Sequence, residues 1–142
     1  GWQVLPSAYL NLNLLTKEQH IALEKTGTDS WDIAQLPLKG KRYVDALFMF
    51  NPAIEKWLKT NWVRDSQPNY PPRIHDLQTL RSQTDLEIPP TLIDFLDTVN
   101  RWNIGGRYPD YKFTLFKQAT PDYIHQQLAK LEEVRVCLLA NI

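Results

Sequence analysis

The chain has 142 residues, of which 43% are hydrophobic, 23% charged and 11% aromatic, five of them tryptophans. That composition excludes an intrinsically disordered protein, and the length suits one domain burying roughly two thirds of the surface its unfolded form exposes. Sixteen basic side chains cancel sixteen acidic ones, which removes any global pull on nucleic acid, leaves a local basic patch open, and fits self-association.

Cys137 is the single cysteine, which rules out an internal disulfide and a cysteine-type zinc cluster and points to a reducing compartment. No run reaches the roughly 18 apolar residues of a membrane span, and the N-terminus lacks the basic-then-apolar order of a signal peptide. A cytoplasmic location without a membrane partner is therefore expected. Gly1 stands where an initiator methionine would and is set aside as a cloning remnant.

Residues 2–16, WQVLPSAYLNLNLLT, place apolar side chains in pairs around Pro6 and Ser7, a pattern with neither a helix nor a strand period. Thr16 with Gln19 three residues on resembles a capping box, and Ile21, Ala22 and Leu23 carry a short helix to Thr26-Gly27. Residues 1–28 thus read as an irregular arm plus a short helix. Asp29 or Ser30 caps the next helix, with Trp31, Ile33, Ala34 and Leu36 as core candidates, until Pro37 and Gly40 interrupt it.

The stretch 40–62, GKRYVDALFMFNPAIEKWLKTNW, organises the chain. Tyr43, Leu47, Phe50, Ile54, Trp57, Leu58 and Trp62 recur at the spacing that gathers side chains on one side of a helix. Pro52 has no N–H for the residue 48 carbonyl, so the helix kinks there or breaks in two with Asn51 as cap. Glu55 precedes Lys59 by four residues, the favourable order for a solvated pair. Phe48 and Met49 lie beyond the stripe and suggest a subunit surface.

Residues 64–72, RDSQPNYPP, form a loop on their prolines. A helix of about three turns over Arg73–Ser82 turns Leu77 and Leu80 inward and puts His75 in its first turn. Ile88-Pro89-Pro90 opens another, whose Leu92, Phe95, Leu96, Val99 and Trp102 run to a Gly105-Gly106 stop. Tyr111, Phe113 and Leu115 alternate with Lys112 and Thr114 and read as an extended crossing segment. Thr120-Pro121-Asp122 starts a final helix, with Ile124, Leu128, Leu131, Val134 and Leu138 on its apolar side. The fold expected is all-α, an up-and-down bundle of four to five main helices with short extra ones, occupying 1–142 as a single domain.

His20, His75 and His125 lack a second histidine or carboxylate at the spacing of a metal or hydrolase motif, so neither a metal nor a catalytic cofactor is expected. His20 and His125 read as surface or structural residues. His75 either bonds a neighbouring helix or faces a ligand beside the free N–H groups of its helix start. In Gly105-Gly106-Arg107-Tyr108-Pro109-Asp110 the arginine offers a forked donor for a phosphate or carboxylate, or else pairs with Asp110 or Glu55. Lys56 and Lys59, with Lys41, Arg42 and Arg64, set five cations against Asp45 and Glu55. That stretch is either a solvated helix face or a shallow site for nucleotide or RNA phosphates.

AIEKWLKTNW, PPRIHDLQTL and RYPDY at 107–111 resemble the EK-x-LK, P-x-x-HDL and RYPD landmarks of the HEPN domain (higher eukaryote and prokaryote nucleotide-binding). The resemblance spans roughly residues 29–139 and departs from the family at Pro52. It implies a helical, dimeric module whose ligand-binding set here would be Lys56, Lys59, His75, Arg107, Tyr108 and Asp110, with no catalytic residue. Ribonuclease members of the family carry an arginine four to six residues before a histidine, whereas Arg73 is two and Arg64 eleven before His75, and Arg107 eighteen before His125. The chain is thus similar to the non-nuclease members, which dimerise and accompany a nucleotidyltransferase partner. A ribonuclease toxin of a toxin–antitoxin pair and a ligand-free scaffold are the alternatives.

Overall fold

The apolar stripe of residues 43–62 produces one unbroken helix, around which the others are arranged. The computed structural model describes the backbone of residues 4–66, 70–105 and 108–140, and their side chains except those of 4–17, 19, 20 and 105. Six α-helices follow one another: α1 Val4–Lys39, α2 Tyr43–Asp65, α3 Leu77–Ser82, α4 Pro90–Gly105, α5 Pro109–Gln118 and α6 Pro121–Ala140. No strand occurs among the described residues, and the all-α helical bundle is the fold.

Helix α2 touches each of the other five. Leu47, Phe50, Ile54, Trp57 and Leu58 of the expected stripe are buried, and Val44, Ala46, Ala53 and Val63 are buried as well, because a central helix is covered on more than one side. Pro52 sits inside α2 without ending it. Beside it Asn51, 3% exposed, donates from Nδ2 to the Val99 carbonyl at 3.0 Å and ties α2 to α4. One helical turn before its end, Asn61 donates to the Trp57 carbonyl at 2.9 Å and to Leu138 of α6 at 3.5 Å.

The N-terminal expectation needs correction. From Val4 the chain is helical, and α1 continues through Thr26-Gly27 to Lys39 as a single helix; residues 1–3 of the expected arm lie outside the described residues. Thr26 and Thr28 turn their hydroxyls back to the carbonyls of Ala22 and Glu24, four residues earlier, so they serve the helix interior rather than a cap. Gly27 is buried against the Trp57 ring. There the missing side chain admits a neighbour instead of stopping a helix. Trp57 Nε1 donates to the Glu24 carbonyl at 3.3 Å, and Trp31 meets both Phe50 (4.8 Å between centroids) and Trp57 (5.5 Å). At the other end of α1, Lys41 rather than Gly40 adopts the left-handed backbone, at φ 59°. A non-glycine residue there costs about 1–2 kcal/mol.

Two further elements differ from expectation. Helix α3 has six residues, not three turns, because Asp76 caps it: its carboxylate accepts from the Thr79 N–H at 2.9 Å. His75 therefore precedes the helix. The segment expected to be extended across 111–115 is α5, a helix begun by Pro109 with Asp110 in its first turn and only Leu115 buried. Helix α6 starts as expected, the Thr120 hydroxyl accepting from the Tyr123 N–H at 3.2 Å. Residues 67–69 of the proline loop lie outside the described residues.

The Asp76 cap gives a first test. Asp76 also accepts from Asn100 Nδ2 at 3.4 Å, so Asp76→Ala should lower stability by about 1–2 kcal/mol, read as a shift of the urea midpoint. A midpoint unchanged from the parent chain would deny the cap.

Candidate functional site

Glu55 is the centre of the polar cluster that α2 carries. Its Oε1 stands 3.0 Å from His75 Nδ1, and its Oε2 stands 3.5 Å from Lys59 Nζ. The Glu55 and Lys59 side chains are 16% and 12% exposed, so this pair is not the solvated one expected from its spacing. His75 is 66% exposed and lies over it. The tripeptide His75-Asp76-Leu77 thus has three separate tasks: the ring bonds α2, the carboxylate caps α3, and Leu77 enters the core.

Of the six expected ligand residues, Lys59 and His75 come together through Glu55. Lys56, one residue on from Glu55, turns to α1, where its ammonium donates to Ser30 Oγ at 2.7 Å. Tyr108 and Asp110 stand at the start of α5, Tyr108 62% exposed as its N-cap residue and Asp110 with its carbonyl accepting the Thr114 hydroxyl at 3.1 Å. Arg107 lies outside the described residues, and so does its expected pairing with Asp110 or Glu55.

Three cations of the basic stretch 41–64 are paired with acids close to them in the chain. Arg42 pairs with Asp45 at 2.9 Å, and Arg64 bonds Asp65 through both Nε and Nη2, at 2.8 and 2.9 Å. The Asp65 hydrogen bond also pushes the Arg64 guanidinium above its ordinary pKa. Lys41 and Arg42 share with Lys112 and Phe116 a groove of about 480 Å³, into which Asp45 also projects. At the far end of the bundle, burial pushes the Cys137 thiol up, and its Sγ reaches the Glu87 carbonyl at 3.7 Å. A thiol so placed is less nucleophilic than an exposed one.

The fold is an all-α bundle whose central helix bonds the histidine of an H-D-L segment. The HEPN domain family model matches residues 23–140, and the chain belongs to that family. Comparisons with curated proteins and with solved structures gave no match. Membership makes the chain a module of nucleotide- or RNA-related function in general terms. Among the described residues no helix is long and apolar enough to cross a membrane.

Proposed function

We propose that the chain is a non-catalytic, nucleotide-binding and interaction module that works as a homodimer beside a nucleotidyltransferase partner in the cytoplasm. The observation that carries this reading is the Glu55 cluster. The only histidine in the H-D-L segment is bonded to a carboxylate, and no arginine precedes it at the ribonuclease spacing. Lys59, His75 and Tyr108, with Arg107, Asp110 and Lys56, would supply the phosphate and base contacts. Phe48 and Met49 on α2, each 37% exposed, and Ile33 and Leu36 on α1, 49% and 67% exposed, offer apolar area to a second copy.

The same contact favours one competing reading. A carboxylate behind an imidazole is also how a general base is oriented, so a ribonuclease remains the second possibility. The experiment that separates them incubates the purified chain with single-stranded RNA and, separately, titrates it with a nucleoside triphosphate. RNA should stay intact while the triphosphate binds weakly and less tightly as salt rises. Arg107→Ala should weaken binding by about 1–3 kcal/mol, the loss of a charge-assisted hydrogen bond, and Lys59→Ala by less. RNA cleavage abolished by His75→Ala in a folded protein would establish the ribonuclease instead. Light scattering should give twice the chain mass of 16.6 kDa; a monomer at every concentration would remove the dimer.

A further inference from the structure

The groove beside the start of α2 has a volume of about 480 Å³, within the roughly 300–1,000 Å³ of small-molecule sites. Val44, Ala119 and the rings of Tyr43 and Phe116 make most of its wall apolar. Phe116 is 68% exposed, and Phe113, three residues back along α5, is 59% exposed. Neighbouring aromatic rings left in water mark a surface that meets another molecule.

Three cations, Lys41, Arg42 and Lys112, line this groove against one carboxylate, Asp45. Asp45 accepts from Arg42 Nε at 2.9 Å and stands 3.9 Å from Lys112 Nζ. The other nitrogens of the Arg42 guanidinium, and the Lys41 ammonium, have no hydrogen bond or ion pair among the described residues. The groove therefore keeps positive charge that its own acid does not match.

Lys41 holds its place at a cost to the fold. The end of α1 is closed by the Arg42 N–H donating to the Pro37 carbonyl at 2.7 Å and the Lys41 N–H to the Leu38 carbonyl at 3.1 Å. In such a wrapped helix end glycine is the usual residue at the left-handed position. Here that position, φ 59°, belongs to Lys41, with Gly40 one residue too early to fill it. Lysine serves the turn worse than glycine would, and it adds a cation to the groove.

These features define a ligand by its chemistry. Its body must be apolar, and a flat ring system suits the Tyr43 and Phe116 rings, since aromatic pairs gain beyond the area they bury. Its head must be an anion. A carboxylate carries one charge and matches a guanidinium fork, whereas a phosphate dianion would face Asp45. Tyr43 supplies the one hydroxyl of the described lining, which holds no side-chain amide, so a sugar or a base edge would find few partners there. We propose that the groove binds an aromatic carboxylate, its ring against Tyr43 and Phe116 and its head among Lys41, Arg42 and Lys112. The site shares no residue with the Glu55 cluster or with the nucleotide contacts proposed above, and goes beyond that function.

The test uses thermal shift and calorimetric titration of the intact chain with 2-naphthoate, 2-naphthamide, acetate and adenosine monophosphate. Naphthoate should bind and raise Tm, the uncharged naphthamide should bind on the order of tenfold more weakly, and acetate should not bind. Lys41→Gly should raise the unliganded Tm, by relieving the left-handed backbone, while weakening naphthoate binding on the order of tenfold. A purely structural residue would not separate the two readings in this way. Lys112→Gln should weaken naphthoate alone, and Phe116→Ala should weaken naphthoate and naphthamide alike without lowering Tm, because that ring is exposed. His75→Ala should change none of these. The proposal fails if naphthoate does not bind at millimolar concentration, if naphthamide binds as tightly, or if adenosine monophosphate binds more tightly than naphthoate. It also fails if Lys41→Gly lowers Tm or leaves naphthoate affinity unchanged. Naphthoate binding lost in His75→Ala but kept in Lys41→Gly would move the ligand to the Glu55 cluster and overturn this inference. A Phe116→Ala chain that light scattering shows as a monomer where the parent is a dimer, with no acid bound by either, would make the groove a subunit interface instead.

Discussion

Gly27→Ala is expected to destabilise the protein by about 1–3 kcal/mol, the usual cost of forcing extra volume into a well-packed core. The sign is the informative part, since in an unconstrained helix interior the same change gains about 1 kcal/mol. At Gly27 an added Cβ would meet Trp57 Nε1 at 2.5 Å, Cδ1 at 2.6 Å and Cε2 at 3.2 Å. The indole cannot simply swing aside, because it is 1% exposed, bonds the Glu24 carbonyl and lies against Trp31. Either α1 must lift from α2 or the ring must leave its place. Urea denaturation followed by tryptophan fluorescence reads the change. Trp57→Ala, which removes the ring that the new methyl meets, should cost less in the Gly27→Ala background than in the parent, a departure from additivity expected of residues in contact. A raised midpoint for Gly27→Ala would show that α1 does not approach α2 so closely.

The helices that the sequence made legible are those whose own periodicity and caps agree, such as α2 with its stripe and α6 with Thr120-Pro121-Asp122. Where a residue type has two physical uses, the sequence did not choose between them. Gly27 could end a helix or admit a ring, and only Trp57, thirty residues on, decides. Tyr108-Pro109-Asp110 carries the same Pro-Asp start as 121–122, a signal that could have identified α5. It was masked by the alternation of Tyr111, Phe113 and Leu115, three residues too few to fix a period. In the candidate site, Lys59 and His75 were legible as polar residues. Glu55 reads in the sequence as a partner of Lys59 or of Arg107, and its hold on His75 arises from a contact twenty residues apart. Trp102 likewise fits a core stripe, and only the fold shows that its N–H lacks a partner.

Asn51→Asp should be more damaging still, with an expected loss on the order of 3–5 kcal/mol at neutral pH, the range for an uncompensated buried charge. The change is nearly isosteric, so packing is conserved and the effect isolates one atom. The Nδ2 that donates to the Val99 carbonyl at 3.0 Å is replaced by an oxygen that repels it, in a position only 3% exposed. Burial and the facing carbonyl both disfavour the ionised form, so the new carboxyl's folded-state pKa lies above the unfolded value of about 3.9. The deficit against the parent is therefore smallest below that unfolded value, where the protonated group can still donate to Val99. It grows as pH rises toward the folded-state pKa, because the unfolded chain releases the proton first, and it levels off once both states are ionised. Asn51→Ala loses the hydrogen bond without adding a charge and should cost about 1–3 kcal/mol, with no such pH dependence. Urea midpoints of the three proteins between acid and neutral pH, taken as differences from the parent, distinguish the two. A deficit for Asn51→Asp that stays flat across that range would mean that the Asn51 amide does not join α2 to α4 beside Pro52.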